Sequence, residues 1–131
     1  MSLKHHIVSS LEDLISLEDV RASLLFRLDG EVISAKYKDT ERSIQVLMRA
    51  LLWAKANIEQ VALHIQNNNL EKAIYELERT VILFFSVSET TILCLICNET
   101  ANLSLISIEA KRYAKIMKKK RGDLYANIHR N

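Results

Sequence analysis

The 131-residue sequence contains no proline and only two glycines, Gly30 and Gly122. Collagen-like, proline-rich and glycine–serine linker segments are thereby excluded. So are the loops that cradle dinucleotides or nucleoside triphosphates, because each needs several glycines in one short turn. Long apolar runs are missing as well. The longest, Ile92 to Cys97, is far below the ~20 residues of a membrane-spanning helix. The first residues form no apolar signal-peptide core. Together these absences point to a soluble, cytoplasmic chain with no transmembrane segment. A mass of 15.1 kDa suits a single domain, and 49% hydrophobic residues suffice to fill its core.

Cysteine is scarce too. The only two form Cys94-Leu-Ile-Cys97, a spacing shared with redox and half-zinc motifs. Their setting, Thr91 to Cys97, is a β-branched and apolar run that reads as a strand. Residues three apart on a strand point to opposite faces and share neither a metal nor a disulfide. Buried structural cysteine is the expected role. The histidines, His5, His6, His64 and His129, are scattered and form no nucleophile or metal setting. Neither a catalytic residue, nor a cofactor site, nor a small-molecule substrate is indicated, and the chain reads as a non-enzyme.

Charge is uneven. Lys111, Arg112, Lys115, Lys118, Lys119, Lys120 and Arg121 carry +7 with no acid among them; the chain total is +2, so the remainder carries −5. Such a block is able to attract nucleic acid or an anionic membrane. A solvated helix end, its cations complementing the helix dipole, accounts for it more simply, since no aromatic residues interleave to stack on bases.

Hydrophobic periodicity supplies the architecture. Leu3, Ile7, Leu11, Leu14 and Ile15 have helical spacing. Asp29-Gly30 joins Val20–Leu28 to Val32–Tyr37, a hairpin signal suited to a type I′ turn with positive φ at both central residues. A long helix, capped by Asp39 or Thr40, runs to about Gln66 with Ile44, Leu47, Met48, Leu51, Leu52, Ile58, Ala62 and Ile65 as its apolar face. Val46, Ala50 and Trp53 widen that arc beyond one core-facing stripe. Gln45, Arg49, Glu59 and Gln60 hold the polar side. After Asn67-Asn68-Asn69, Glu71 to Leu77 alternates charge around Ile74, with Ala73, Tyr75 and Leu77 on the other face, as an edge strand does. Thr80–Val87 and Thr91–Cys97 are apolar on both faces, which requires helices on both sides of the sheet. Asn98 or Thr100 is placed to cap a final helix striped by Leu103, Ile106, Ala110, Tyr113 and Met117, with Gly122 as its stop. The expected fold is α+β with three layers (α/β/α). A five-stranded, mainly antiparallel sheet has the order helix, two strands, long helix, three strands, helix. One domain covers 1–121 and a tail covers 122–131.

That order, with Val20-Arg-Ala-Ser-Leu-Leu-Phe-Arg-Leu-Asp-Gly-Glu-Val-Ile-Ser34 and Asn98-Glu-Thr-Ala-Asn-Leu-Ser-Leu-Ile106, resembles the Roadblock family of dynein light chains and small-GTPase regulators, whose fold is profilin-like. Two departures are Ser104 and the Glu78-Arg79 turn, where the family commonly has glycine. The resemblance implies a homodimer, or a heterodimer with a paralogue, in which third strands pair edge to edge and long helices pack together. Val46, Ala50, Trp53, Ala73, Ile74, Tyr75 and Leu77 would then form the interface. Trp53 has an alternative home in its own core. The resemblance further implies a scaffold or a regulator that binds a Ras-like small GTPase, with Gln45, Arg49, Glu59 and Gln60 as candidate partner surface. Nucleic-acid or anionic-membrane binding through the Lys111–Arg121 helix is the alternative function.

Overall fold

A computed structural model describes residues 3–38 and 44–129, with side chains described through Lys119. Eight elements follow in chain order: α1 (Leu3–Ile15), β1 (Val20–Arg27), β2 (Val32–Tyr37), α2 (Ile44–Asn67), β3 (Lys72–Leu77), β4 (Thr80–Ser86), β5 (Thr91–Asn98) and α3 (Leu103–His129). The strands form one sheet in the order β2-β1-β5-β4-β3, and every neighbouring pair is antiparallel. The fold is the expected α+β sandwich.

Period-two alternation decides which layer each strand residue serves. Val81, Leu83, Phe85, Leu93, Leu95 and Cys97 pack with Leu11, Leu14, Ile106 and Met117 beneath α1 and α3. Ile82, Phe84, Ile92, Cys94 and Ile96 pack with Leu47, Ala54, Ile58 and Ile65 beneath α2. β4 and β5 are thus sealed on both sides, as their doubly apolar sequences require. Ser23, wholly buried on β1, donates its hydroxyl to the Leu11 carbonyl at 2.7 Å and ties α1 to the sheet. Tyr113 Oη donates to Asp13 at 2.8 Å, joining α3 to α1.

Four details differ from expectation. In the β1–β2 turn only Gly30 has positive φ, at 92°. Gly30 N donates to Arg27 O, and Arg27 N donates to Glu31 O. This is a three-residue loop closed by a glycine bulge instead of a type I′ turn. The glycine also permits close approach, since a Cβ there would lie 3.4 Å from the Lys55 carbonyl of α2. The N-cap of α3 is Asn102, whose side chain accepts from Leu105 N at 3.2 Å; Asn98 bonds Asp19 instead. Gly122 does not stop α3, which continues to His129. Finally, α2 is rotated from the expected face. Its buried stripe is Leu47, Ala50, Ala54, Ile58, Val61, Ala62 and Ile65, while Ile44, Met48 and Leu52 lie exposed. Alanines occupy the sheet-facing side because they let the helix backbone approach closely. The proposed caps Asp39 and Thr40 lie outside the described residues. Asn69 ends the α2 connection with φ of 54°, a conformation asparagine tolerates well.

Candidate functional site

Three adjoining features form an incomplete surface among the described residues. The first is the outer edge of β3. Among the described residues no strand pairs with it, because β3 ends the sheet. Backbone donors and acceptors along such an edge invite another strand. The opposite edge, β2, is blunted by an irregularity in pairing at Leu25/Phe26, and its Lys36 is held by Glu12 at 3.3 Å.

The second feature is the flank of α2 above β3. Trp53 is half-buried and tilts against Tyr75, with ring centroids 5.1 Å apart, and against Phe84 at 6.4 Å. Both homes considered for the indole are therefore in play: one face packs in its own chain and the remainder stays open. Ala50, by contrast, is 1% exposed and belongs to the α2 core, so it does not widen the outer arc as its sequence position suggested. Ile74 projects outward while Ala73, Tyr75 and Leu77 pack partly beneath α2. A cleft of about 360 Å³ opens between α2 and the β3–β4 turn, lined by Val46, Arg49, Ala50, Trp53, Leu77, Glu78, Arg79 and Thr80. The sequence marked the Glu78-Arg79 turn only for its missing glycine and did not place Glu78 or Arg79 in a site. Arg79 has φ of 57°, a conformation that is costly for a residue with a Cβ. Arg49 and Arg79 have no ion pair among the described residues.

The third feature is the outward ridge of α2. Ile44, Met48 and Leu52 follow one another at four-residue spacing, and Leu63 continues the exposure toward the C-terminal end, with Leu52 reaching 65%. Gln45, Arg49, Glu59 and Gln60 are all exposed beside them. Sequence reading assigned Ile44, Met48 and Leu52 to the core, and thus missed them as surface.

Other candidates are less developed. On α3, Lys111 pairs with Glu71 at 3.0 Å and Arg112 with Glu109 at 2.8 Å. The hydrogen-bonded Lys111 ammonium holds the Glu71 carboxyl below its usual range. The basic block is thus partly engaged, and the side chains of Lys120 and Arg121 lie outside the described residues. Cys94 and Cys97 are free thiols on opposite faces. Burial drives Cys94 well above its ordinary value and pushes Cys97 up to about 12. Thiolate chemistry is therefore suppressed at both. Among the described residues, no three His, Cys, Asp or Glu side chains cluster to hold a metal, and no helix is long and apolar enough to cross a membrane.

The AF0774-like protein family matches residues 4–111. This chain belongs to that family. No curated protein matches it. Among solved structures, this AF0774-like chain is similar to MglC from Myxococcus xanthus, with a TM-score of 0.77, 14% identity, and coverage of 88% of this chain and 98% of that one. An MglB structure with tetrameric arrangement gives 0.71 at 18% identity, covering 94% and 93%. A Roadblock/LC7 domain from Streptomyces avermitilis gives 0.64 at 15% identity, covering 85% and 93%. The AF0774-like chain thus has the Roadblock fold that its first hairpin and last helix resemble.

Proposed function

We propose that this AF0774-like protein is a non-enzymatic interaction module. It pairs with a second Roadblock-type subunit along β3 and the adjoining flank of α2, and presents the α2 ridge to a Ras-like small GTPase. The observation that carries the reading is the unpaired β3 edge lying beside a helix with Ile44, Met48 and Leu52 exposed. Contiguous apolar surface next to an open strand edge marks a protein-binding face. The tetrameric arrangement of the similar MglB structure supports self-assembly on this fold. Gln45, Arg49, Glu59 and Gln60 form the polar rim that would set orientation and selectivity around the apolar ridge. Val46, Trp53, Ala73, Ile74, Tyr75 and Leu77 are the proposed seam; Ala50 supports it from within.

A regulatory role needs different affinities for the two nucleotide states of the GTPase. The test titrates the protein against a Ras-like GTPase loaded with GDP or with a non-hydrolysable GTP analogue. Tighter binding of one form, lost in Leu52→Glu while the oligomeric mass is unchanged, is the expected result. Equal affinity for both forms would leave a tether without a switch, and no binding to either would remove the GTPase reading.

A further inference from the structure

We infer that the groove between α3 and the β3–β4 side of the sheet docks an acidic segment of a partner protein, one that carries an apolar side chain among its carboxylates. The site lies on the opposite layer of the sheet from the α2 ridge and stands independently of the GTPase reading.

The placement of charge on α3 comes first. Ile106, Ala110, Ala114 and Met117 form the stripe that faces the sheet. Lys111, Lys115 and Lys118 follow one another at spacings of four and three residues, which sets them along one flank of the helix. That flank borders β3 and β4. Lys111 Nζ lies 3.0 Å from the Glu71 carboxylate, and the Lys72 ammonium donates across from β3 to the Ser107 hydroxyl at 3.3 Å. Glu109 is instead taken by Arg112, and Tyr113 on the α1 flank bonds Asp13. Helix-end electrostatics do not account for the lysines. α3 runs to His129, so even Lys118 stands about three turns from the end, whereas the pull of the dipole fades within the last turn.

The groove offers more than charge. It has a volume of about 210 Å³, and Leu70, Phe85, Val87 and Ala114 give it an apolar floor beside the three lysines. Phe85, Val87 and Ala114 are buried, while Leu70 is 40% exposed, so the floor is core surface with one open rim. Glu71 shows what the lysine wall accepts. Lys111 holds its carboxyl below the usual range, and Lys115 and Lys72 add to the pull. One carboxylate does not satisfy four cations: Lys115 and Lys118 have no ion pair among the described residues.

Shape and lining decide the class of partner. A bilayer is flat and does not enter a groove. A nucleic acid has no aliphatic side chain for the floor, and Phe85, the aromatic residue of the lining, is 1% exposed, so no ring is presented for a base to stack on. A peptide supplies both parts: carboxylates for the lysines and an aliphatic group for the floor. Opposite charge then steers the encounter, and apolar burial adds affinity.

Fluorescence anisotropy on the full chain, with a labelled peptide of alternating glutamate and leucine, tests this. Binding at ~100 mM salt that weakens severalfold by ~300 mM is expected. A glutamate–serine peptide of equal charge leaves the floor unfilled and should bind roughly tenfold more weakly. Lys115→Glu combined with Lys118→Glu should abolish binding. Glu71→Gln is the most discriminating variant, because it releases Lys111 from its internal carboxylate; affinity should rise about threefold. Glu76→Gln makes the same charge change about 17 Å along β3, beyond the ~10 Å screening length at 0.1 M salt, and should leave affinity unchanged. Equal effects of the two glutamine variants, or equal binding of the two peptides, would reduce the groove to unspecific surface charge and overturn the site. Duplex DNA or phosphatidylserine vesicles bound more tightly than the leucine peptide, and lost in the same lysine variant, would overturn the choice of partner. Loss of peptide binding with the GTPase titration intact, or the reverse, tells the failure of one reading from the failure of the other.

Discussion

The thiols make alkali a selective denaturant of this fold. Cys94 and Cys97 are 0% and 1% exposed, on opposite faces of β5. Both are held neutral by burial, Cys97 up to about 12 against an ordinary 9.0, and Cys94 well above it. Because the folded values are raised, the stabilisation is complete below pH 9 and is lost as pH rises, when the unfolded chain releases protons that the folded chain retains. Each thiol contributes a slope of about 1.4 kcal/mol per pH unit. Between pH ~9 and ~10.5 Cys97 therefore removes about 2 kcal/mol of a typical 5–15 kcal/mol stability, and Cys94 acts in the same direction. Tyr37 and Tyr113 are also raised by burial, whereas Lys38, bonded to the Leu17 carbonyl at 2.7 Å, is lowered by it. The thiols must therefore be isolated by difference. Urea melts at several pH values, on wild type and on Cys94→Ala/Cys97→Ala, provide that difference. The variant is less stable at neutral pH because of its cavities, but its decline above pH 9 should be shallower by about 1.4 kcal/mol per pH unit or more. Parallel curves for the two proteins would refute the argument, as would rapid labelling of native thiols by a disulfide reagent at pH ~8.

Three further changes probe separate layers of the account. Arg79→Gly removes a Cβ from a left-handed residue at φ 57°; the relief exceeds the entropy that glycine adds to the unfolded chain. Stability should rise by about 0.5–1 kcal/mol, read as a melting temperature a few degrees higher, and an unchanged or lower value would contradict the strain. Ser23→Ala deletes the buried 2.7 Å bond to Leu11 and should cost about 1–2 kcal/mol, seen as a lower urea midpoint with the same slope. A change within ~0.3 kcal/mol would mean that α1 is held by packing alone. Trp53→Ala loses the indole's packing on Tyr75 and Phe84 together with seam contacts. It should destabilise the fold by about 2–4 kcal/mol and weaken self-association. Intact self-association would confine the ring to its own subunit.

Strands proved easier to read than helices here, for a physical reason. Along β4 and β5 the side-chain period is two, so Val81, Leu83 and Phe85 separate from Ile82 and Phe84 by inspection, and the two thiols fall on opposite faces. α2 is different. Its bulky apolar residues Ile44, Met48 and Leu52 outweigh Ala50, Ala54 and Ala62 in any hydrophobic pattern, yet the alanines face the sheet. Side-chain size misleads where close helix–sheet approach favours small residues. The alanine spacing was the available clue. Local turn chemistry was only partly legible: Asp29-Gly30 marks a hairpin, but the glycine bulge depends on the ladder's register and on the approach of α2 to Gly30. For the surface, the alternation in Glu71–Leu77 announced an edge strand. The Arg49–Trp53–Arg79 cleft, in contrast, joins residues from distant segments and needed the fold to bring them together.

The measurement closest to the centre of the account is the solution mass of the wild-type chain by sedimentation equilibrium at ~10 μM. Twice 15.1 kDa, or a higher even multiple, is the predicted result. A single 15.1 kDa species would contradict it, because the outer edge of β3 and the exposed apolar ridge of α2 would then stand in water without a partner.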